Sequence, residues 1–344
     1  PAVAHPDEAL APRAPRLRRG GNLIGGAAAV YTRGRVEDAL AAAPVRLELE
    51  VGTAAALHNA LEPHGCVARW EGDRLTLWDS TQHVFGIRAG MAERLGLGLH
   101  QVRVIKNYMG GGFGAKNSVR KYMVIAALLA RQSGRPVRCV LDRVEENLST
   151  GHRHETRTRL ALGADARGVL IALDADIRAA VGAHGAGMMP VGGPMRELYA
   201  CPNVRTREAG AHVNLGPHTA FRAPGYVEGV FALETALDEL ARELGVDPFE
   251  IRRRNLSKLD PALKVPYTRP TFAAALDAAE AGLKRWPKLV RAEGDLRRGR
   301  GVAAAIWGVG GGPPAHALVM VQSDGNLQVI CGTQDLGTGT KTVL

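Results

Sequence analysis

Apolar and polar residues alternate across Val45–Val51, the period of a half-buried strand. Cys66–Trp70 and Arg74–Trp78 flank Glu71-Gly72-Asp73 and read as a hairpin. Val84, Ile87, Met91 and Leu95 then recur at helical spacing, and Gly96 suits the stop. Val102–Ile105 predicts another strand. The following segment, Ser118–Gln132, puts Val119, Tyr122, Met123, Ala126, Ala127 and Ala130 on one helical face, and Gly134-Arg135-Pro136 ends it. Val137–Leu141 is a strand. Thr156–Leu162 and Val169–Val181 form a long hairpin around Asp165–Gly168. The clearest helix is Val227–Leu244, with Val230, Leu233, Leu237, Leu240 and Leu244 along one side and Gly245 as its stop. Asp247-Pro248-Phe249-Glu250 opens the next helix with an N-cap, a proline at the first position and a glutamate at the third. Residues 258–300 are charged and contain Pro261, Pro266, Pro270 and Pro287, so a connector with one helix (Phe272–Trp286) is expected. Gly301–Ile306 and His316–Cys331 return to strands, with Asp324-Gly325 as a hairpin turn. The fold class is α+β, mixed sheets with packed helices.

Composition narrows the options. The chain has 344 residues, 46% of them hydrophobic and 23% charged, which is globular and long enough for two domains. Its net charge of +10 raises nucleic acid as a partner. The dense basic runs, Arg13–Arg19, Arg252–Arg254 and Arg297–Arg300, lack interleaved stacking aromatics, so no nucleic-acid role is expected. Cys66, Cys139, Cys201 and Cys331 form no C-x-x-C pair, which argues against an iron–sulfur cluster or structural zinc site within the chain. No apolar run reaches the roughly 20 residues of a membrane span. The chain opens with Pro1 in a Pro/Ala/Arg-rich stretch and stops at Leu344 just past a glycine-threonine motif, so both ends read as cut and the missing leader is uninformative.

Five segments bear on chemistry. Gly110–Lys116 is a glycine-rich loop between the Val102–Ile105 strand and a helix pattern, the context in which backbone N–H groups hold an anion. It fails as a P-loop because Ala115 and Asn117 replace the second glycine and the hydroxyl residue. It fails as a dinucleotide fingerprint because the last position is again Ala115. In the His58–His64 and Ser80–Gln82 segments, Gln82 sits where a strand hands over to a helix, and could cap that helix or bind a ligand. Thr219–Gly225 places Arg222 before the strong helix, to hold an oxyanion or to pair with a carboxylate such as Glu228. Gly332–Thr340 is a second glycine loop, rich in hydroxyls. His152 and His154 flank Arg153 with no third ligand at sensible spacing, so they read as structural. Several donor-rich turns spread along the sequence suit a large, anionic, heteroatom-rich cofactor.

These motifs carry a resemblance. Leu61-Glu62-Pro63-His64, Trp70–Asp73, Leu75–Trp78, Ser80-Thr81-Gln82, Gly110–Lys116, Ala220–Gly225, Ala232-Leu233-Glu234, Asp238–Ala241 and Gln334–Thr340 stand in the order of the molybdopterin-binding large subunit of the xanthine dehydrogenase/aldehyde oxidase family. The match covers nearly the whole chain and is most similar to bacterial aldehyde oxidoreductases. It implies a tail of a preceding domain at 1–20, a first molybdopterin-binding domain at 21–258, a connector at 259–300, and an incomplete second such domain at 301–344. It implies that Gly112, Phe113 and Gly114 lie against the molybdenum–molybdopterin cofactor and that Gln82 hydrogen-bonds its apical oxo ligand. Ala220, Phe221 and Arg222 contact the molybdenum ligands from the opposite side. Gly337, Thr338 and Gly339 meet the pterin phosphate or dinucleotide, in the cytosine form usual in bacteria. The pterin, and no protein side chain, holds the metal.

The implied reaction hydroxylates an aldehyde or N-heterocycle with water-derived oxygen, and electrons leave through [2Fe-2S] and FAD partner subunits. Asn117 replaces the substrate-binding glutamate of the purine oxidisers, which weakens xanthine as substrate. The general-base glutamate of the family is expected downstream of Leu344, so no catalytic residue is assigned here, and Glu62 and Glu234 read as structural. This segment alone is therefore expected to be inactive. The implied compartment is the cytoplasm or the periplasm, without membrane association. The alternatives are a non-catalytic half of a split subunit, acting as cofactor carrier or assembly partner, and a nucleotide-binding P-loop enzyme.

Overall fold

A computed structural model of the chain describes residues 2–185, 187–269, 271–286, 294–308 and 314–344. Pro270 and Pro287 of the expected connector lie outside the described residues. The chain packs into two compact units, each assembled from separated segments: Pro1–Ala54, His154–Leu215 and Ala223–Trp307 in the first, and Ala55–Arg153, Gly216–Arg222 and Gly308–Leu344 in the second. Elements are numbered along the chain.

The first unit contains α1 (Pro6–Ala9), β1 (Ala29–Arg33), α2 (Val36–Ala42), β2 (Val45–Thr53), β7 (Thr156–Ala164), β8 (Leu170–Ala180), α6 (Gly193–Glu197), β9 (Asn203–Ala211), α7 (Tyr226–Leu244), α8 (Pro248–Asn255) and α9 (Phe272–Lys284). Its sheet runs β1-β9-β8-β7-β2, antiparallel except for the β8–β9 pair. Val45, Leu47, Leu49 and Val51 of β2 face the same core as Leu160 and Leu162 of β7. Leu233, Leu237 and Leu240 of α7 fill that core, where each buried leucine contributes about 2 kcal/mol. Helix α2 packs Val36 and Leu40 on Ala172. Gly245 ends α7 in the left-handed conformation, and the Asp247 carboxylate accepts from Phe249 N (2.8 Å) and Glu250 N (3.2 Å) to start α8.

The second unit contains β3 (Gly65–Glu71), β4 (Arg74–Asp79), α3 (Val84–Leu95), β5 (Val102–Ile105), α4 (Lys121–Ser133), β6 (Val137–Val140), α5 (Arg143–Ser149), the hairpin of β10 (Ala317–Val321) and β11 (Leu327–Cys331), and the short α10 (Thr340–Val343). Its four-stranded sheet runs β5-β4-β3-β6. Leu75 and Leu77 of that sheet are buried with Ile87 and Met91 of α3 and Met123, Ala126 and Ala127 of α4.

Several sequence expectations need correction. The helix expected from Ser118 begins at Lys121, and the one expected to Trp286 ends at Lys284. Residues 301–306 form no strand; Ala304 N donates instead to Glu234 Oε2 at 2.8 Å. Val230 leaves the buried stripe of α7 and lies with Val227, Phe231, Ile306 and Trp307 along a second, open apolar face. Cys66 and Cys139, remote in sequence, stand opposite each other on β3 and β6 as free cysteines.

Candidate functional site

The site grows out of the second unit, at the loop between β5 and α4. Its start is tied to Glu62: Gly110 N donates to Glu62 Oε2 (2.6 Å), and Glu62 N to Gly110 O (3.1 Å). Its end is tied to the β4–α3 junction, where Lys116 O accepts from Gln82 N (2.9 Å) and Thr81 Oγ1 (3.0 Å). Lys116 itself is fully buried and turns inward, donating from Nζ to Glu62 O and Ser80 Oγ, both at 2.7 Å. Burial pulls its pKa below the usual lysine range. A lysine spent on internal acceptors has no ammonium to offer a phosphate. The loop is also not a helix N-terminus, because α4 starts at Lys121 with Arg120 as its N-cap.

Between those ties the chain is shaped by close approach. A Cβ on Gly112 would meet Gln82 Oε1 at 2.6 Å, and one on Gly114 would meet Ala220 O at 2.2 Å. Gly114 also has φ +109°, open only to glycine at low cost. Phe113 carries φ +52° and is 43% exposed, a strained placement of a large apolar ring in solvent.

One of the two readings of Gln82 is excluded. Its side chain does not cap α3, whose N-cap is His83. Its Oε1 accepts from Gly114 N (2.7 Å) and Lys116 N (3.3 Å). With the oxygen committed to two N–H donors, the amide orientation is set, and Nε2 has no acceptor among the described residues.

The Ala220–Arg222 segment lies against the same loop. Arg222 N donates to Phe113 O at 2.8 Å. Arg153 Nη2 donates to Phe221 O and Arg222 O, both at 2.8 Å, and its guanidinium carbon sits 4.7 Å from the Phe221 ring centre. His58 Nε2 donates to Ala220 O at 2.8 Å, and its ring stacks on Phe221 at 4.2 Å and 18°. The Arg222 side chain is exposed. Glu228, raised as its possible partner, is buried beside His154 Nδ1 at 3.5 Å.

Gln82, Gly112, Phe113, Gly114, Ala220, Phe221 and Arg222 therefore meet. Gly337, Thr338 and Gly339 do not join them through any hydrogen bond among the described residues. Their loop docks on α3 instead, where Gln334 Oε1 accepts from Val84 N at 3.1 Å. Lys106 Nζ donates to Asp335 O, and Lys341 Nζ to Asn107 O at 2.9 Å. The anion cradle of this loop is filled by its own carboxylate: Asp335 accepts from Gly337 N (2.8 Å), Gly339 N (3.3 Å) and Lys341 N (3.2 Å). Those donors hold Asp335 below the usual carboxylate range.

Sequence reasoning passed over Arg153 as a ligand to backbone carbonyls, and gave His58 no role. The strained residues Asn59 and Phe113 bracket this region, but positive φ at a non-glycine position has no sequence signal. Among the described residues no group of three potential metal ligands occurs.

A loop closed down on its neighbours by glycines, an amide with a spare donor and an arginine-clamped turn thus lie together on an α+β scaffold. Residues 21–256 match the family described as molybdopterin cofactor-binding domain, and residues 274–344 match a second family of the same description. The chain belongs to the molybdopterin cofactor-binding domains of the xanthine dehydrogenase/aldehyde oxidase family. It is 33% identical over 329 residues to the aldehyde oxidoreductase molybdenum-binding subunit PaoC of Escherichia coli O157:H7, covering 90% of this chain and 43% of that one. It is 32% identical over 360 residues to the xanthine dehydrogenase molybdenum-binding subunit of the same organism, covering 100% of this chain and 47% of that one. The aldehyde oxidoreductase structure from Desulfovibrio gigas shares the fold with a TM-score of 0.85 and 24% identity, over 99% of this chain and 39% of that one. The chain thus spans under half the length of these relatives. No described helix is long and apolar enough to cross a membrane.

Proposed function

We propose that this chain forms part of the cofactor pocket of a molybdenum hydroxylase that oxidises an aldehyde or N-heterocycle. The carrying observation is Gln82: two loop N–H groups consume its oxygen, so its NH2 is the end left to donate to an oxygen ligand of the cofactor. Gly112 and Gly114 let the loop close on Gln82 and on Ala220, where a Cβ would clash, and so hold the two sides of the proposed site together. Phe221 N–H, with no acceptor among the described residues, and the exposed Arg222 suit the anionic cofactor from the other side. Gly337, Thr338 and Gly339 are the proposed phosphate contacts, which requires Asp335 to yield their N–H groups.

The cofactor, when bound, supplies two-electron oxidation with oxygen taken from water. The chain's residues bind and orient it. Glu62 and Glu234 are both engaged in internal hydrogen bonds, so neither is assigned as general base. The cytosine dinucleotide form, and iron–sulfur and FAD partner subunits that take up the electrons, belong to the same reading. So does the division into a first domain at 21–258 and a second opening at 301–344. The names of the relatives, both oxidoreductase subunits, support an enzyme component over a carrier or assembly protein.

The test is to purify the full chain with its partner subunits, release the bound small molecules and identify them. Molybdenum with a pterin cytosine dinucleotide is expected. Gln82→Leu is expected to slow aldehyde or N-heterocycle oxidation about a hundredfold, the cost of one preorganised donor. Recovery of an adenine nucleotide and no pterin would overturn the proposal.

A further inference from the structure

Three consecutive carbonyls, those of Ala220, Phe221 and Arg222, are all bound by side chains. His58 Nε2 takes Ala220 O at 2.8 Å, and Arg153 Nη2 takes Phe221 O and Arg222 O at 2.8 Å each. A trans peptide holds C=O and N–H on opposite sides. The bond from His58 to Ala220 O therefore sends Phe221 N–H away from His58, and that N–H is unspent among the described residues. The next peptide is held at both ends, by Arg153 at Phe221 O and by Phe113 O at Arg222 N. Without the His58 bond, the Ala220–Phe221 plane could rotate about its flanking dihedrals and turn the free donor elsewhere.

His58 is itself fixed. It is 8% exposed, its ring lies 4.2 Å from that of Phe221, and Asn59, the next residue, holds a left-handed φ of +45°. Its acceptor is a carbonyl, so Nε2 carries the proton, while Nδ1 is buried with no hydrogen-bond partner. Leaving a buried nitrogen unsatisfied costs stability, and the site keeps the imidazole nonetheless.

We propose that His58 is a positioning residue. It does not touch the cofactor; it sets the peptide plane whose N–H, at Phe221, faces it. This rests on the cofactor reading above. Burial, with His64, Arg120 and Arg153 nearby, keeps the imidazole below the usual histidine range against the pull of the Ala220 carbonyl, so the arrangement holds without change of charge through neutral pH.

Two variants of the full chain separate the donor from the stack. His58→Phe keeps a ring against Phe221 and deletes the donor. His58→Gln places an amide nitrogen near the position of Nε2 and deletes the ring. Amide hydrogen exchange across residues 216–223 is measured on pterin-free chain, and pterin and molybdenum retention on chain purified with its partner subunits. His58→Phe is expected to exchange about tenfold faster in that segment and to retain about tenfold less pterin, with His58→Gln within about twofold of wild type in both. Wild-type exchange in His58→Phe, or equal damage in both variants, overturns the role of the donor. Faster exchange with wild-type pterin retention overturns the link to the cofactor. The exchange arm needs no pterin, so a wild type that never carries pterin fails the cofactor reading without touching the backbone measurement.

Discussion

At the residue scale, Asp79 is the group whose charge the fold resists. Its carboxyl is buried at the end of β4, where Tyr122 donates to Oδ1 at 3.0 Å and Oδ2 has no hydrogen-bond partner. Burial pushes its pKa up to about 7, against the pull of the Tyr122 hydroxyl and Lys116. Between its ordinary value of about 4 and that value, the folded state holds a proton the unfolded chain has released. Its contribution is therefore whole below about pH 4 and is lost as pH rises toward 7, by at most about 4 kcal/mol. Asp79→Asn keeps the acceptor for Tyr122 and cannot ionise. Urea midpoints at pH 4.5 and 7.5 should differ less for this variant than for wild type, and an unchanged difference would show that Asp79 ionises freely. The sequence made some of these residues legible. Gln82 and the glycines stood out because an amide at a strand end and a glycine cluster are local signals. Lys116 did not, because the acceptors that turn it inward come from Glu62 and Ser80, far away in the chain.

At the scale of elements, α7 shows how much a periodicity can say. Its buried side was legible, and Leu237, fully buried against β2 and β7, should cost about 2–5 kcal/mol when cut to alanine. Phe231 on the same helix is 49% exposed, and its alanine variant should shift the denaturation midpoint far less. Comparable losses for the two would contradict the assigned faces. Strands β2 to β8 followed from alternation and turn chemistry. Strand β9 escaped because its inward positions include Thr206 and Glu208, which break the apolar pattern while remaining buried. Glu208 is satisfied there by Gly192 N (2.5 Å) and Arg196 Nη2 (2.8 Å), partners no local pattern reveals. Helix α5 was legible and missed: Asp142 and Glu145 form a capping box, with Glu145 N donating to Asp142 Oδ1 at 2.7 Å. The site followed the same rule. Segments with strong local chemistry stood out as candidates, and the loop at Gly337–Gly339 did so without its carboxylate plug, since an aspartate in a turn reads like any other.

For the whole molecule, the net charge of +10 favours solubility, and the open face of the five-stranded sheet is a ladder of mixed signs, with Arg159 on Glu50 at 3.0 Å and Arg207 on Asp174 at 3.2 Å. The β10–β11 hairpin pulls the other way. Leu318, Val319, Met320 and Val321 on one strand and Leu327, Val329 and Ile330 on the other are all at least 36% exposed, on both faces. Each strand also has an outer edge with no partner among the described residues. Short, apolar, uncharged segments with free edges template one another. A polypeptide of these 344 residues alone is therefore expected to associate through this hairpin: light scattering should rise with concentration and time, and Val319→Lys with Ile330→Lys should slow that rise at least about tenfold while leaving the far-UV spectrum unchanged. Scattering that ignores both lysines would place the sticky surface elsewhere.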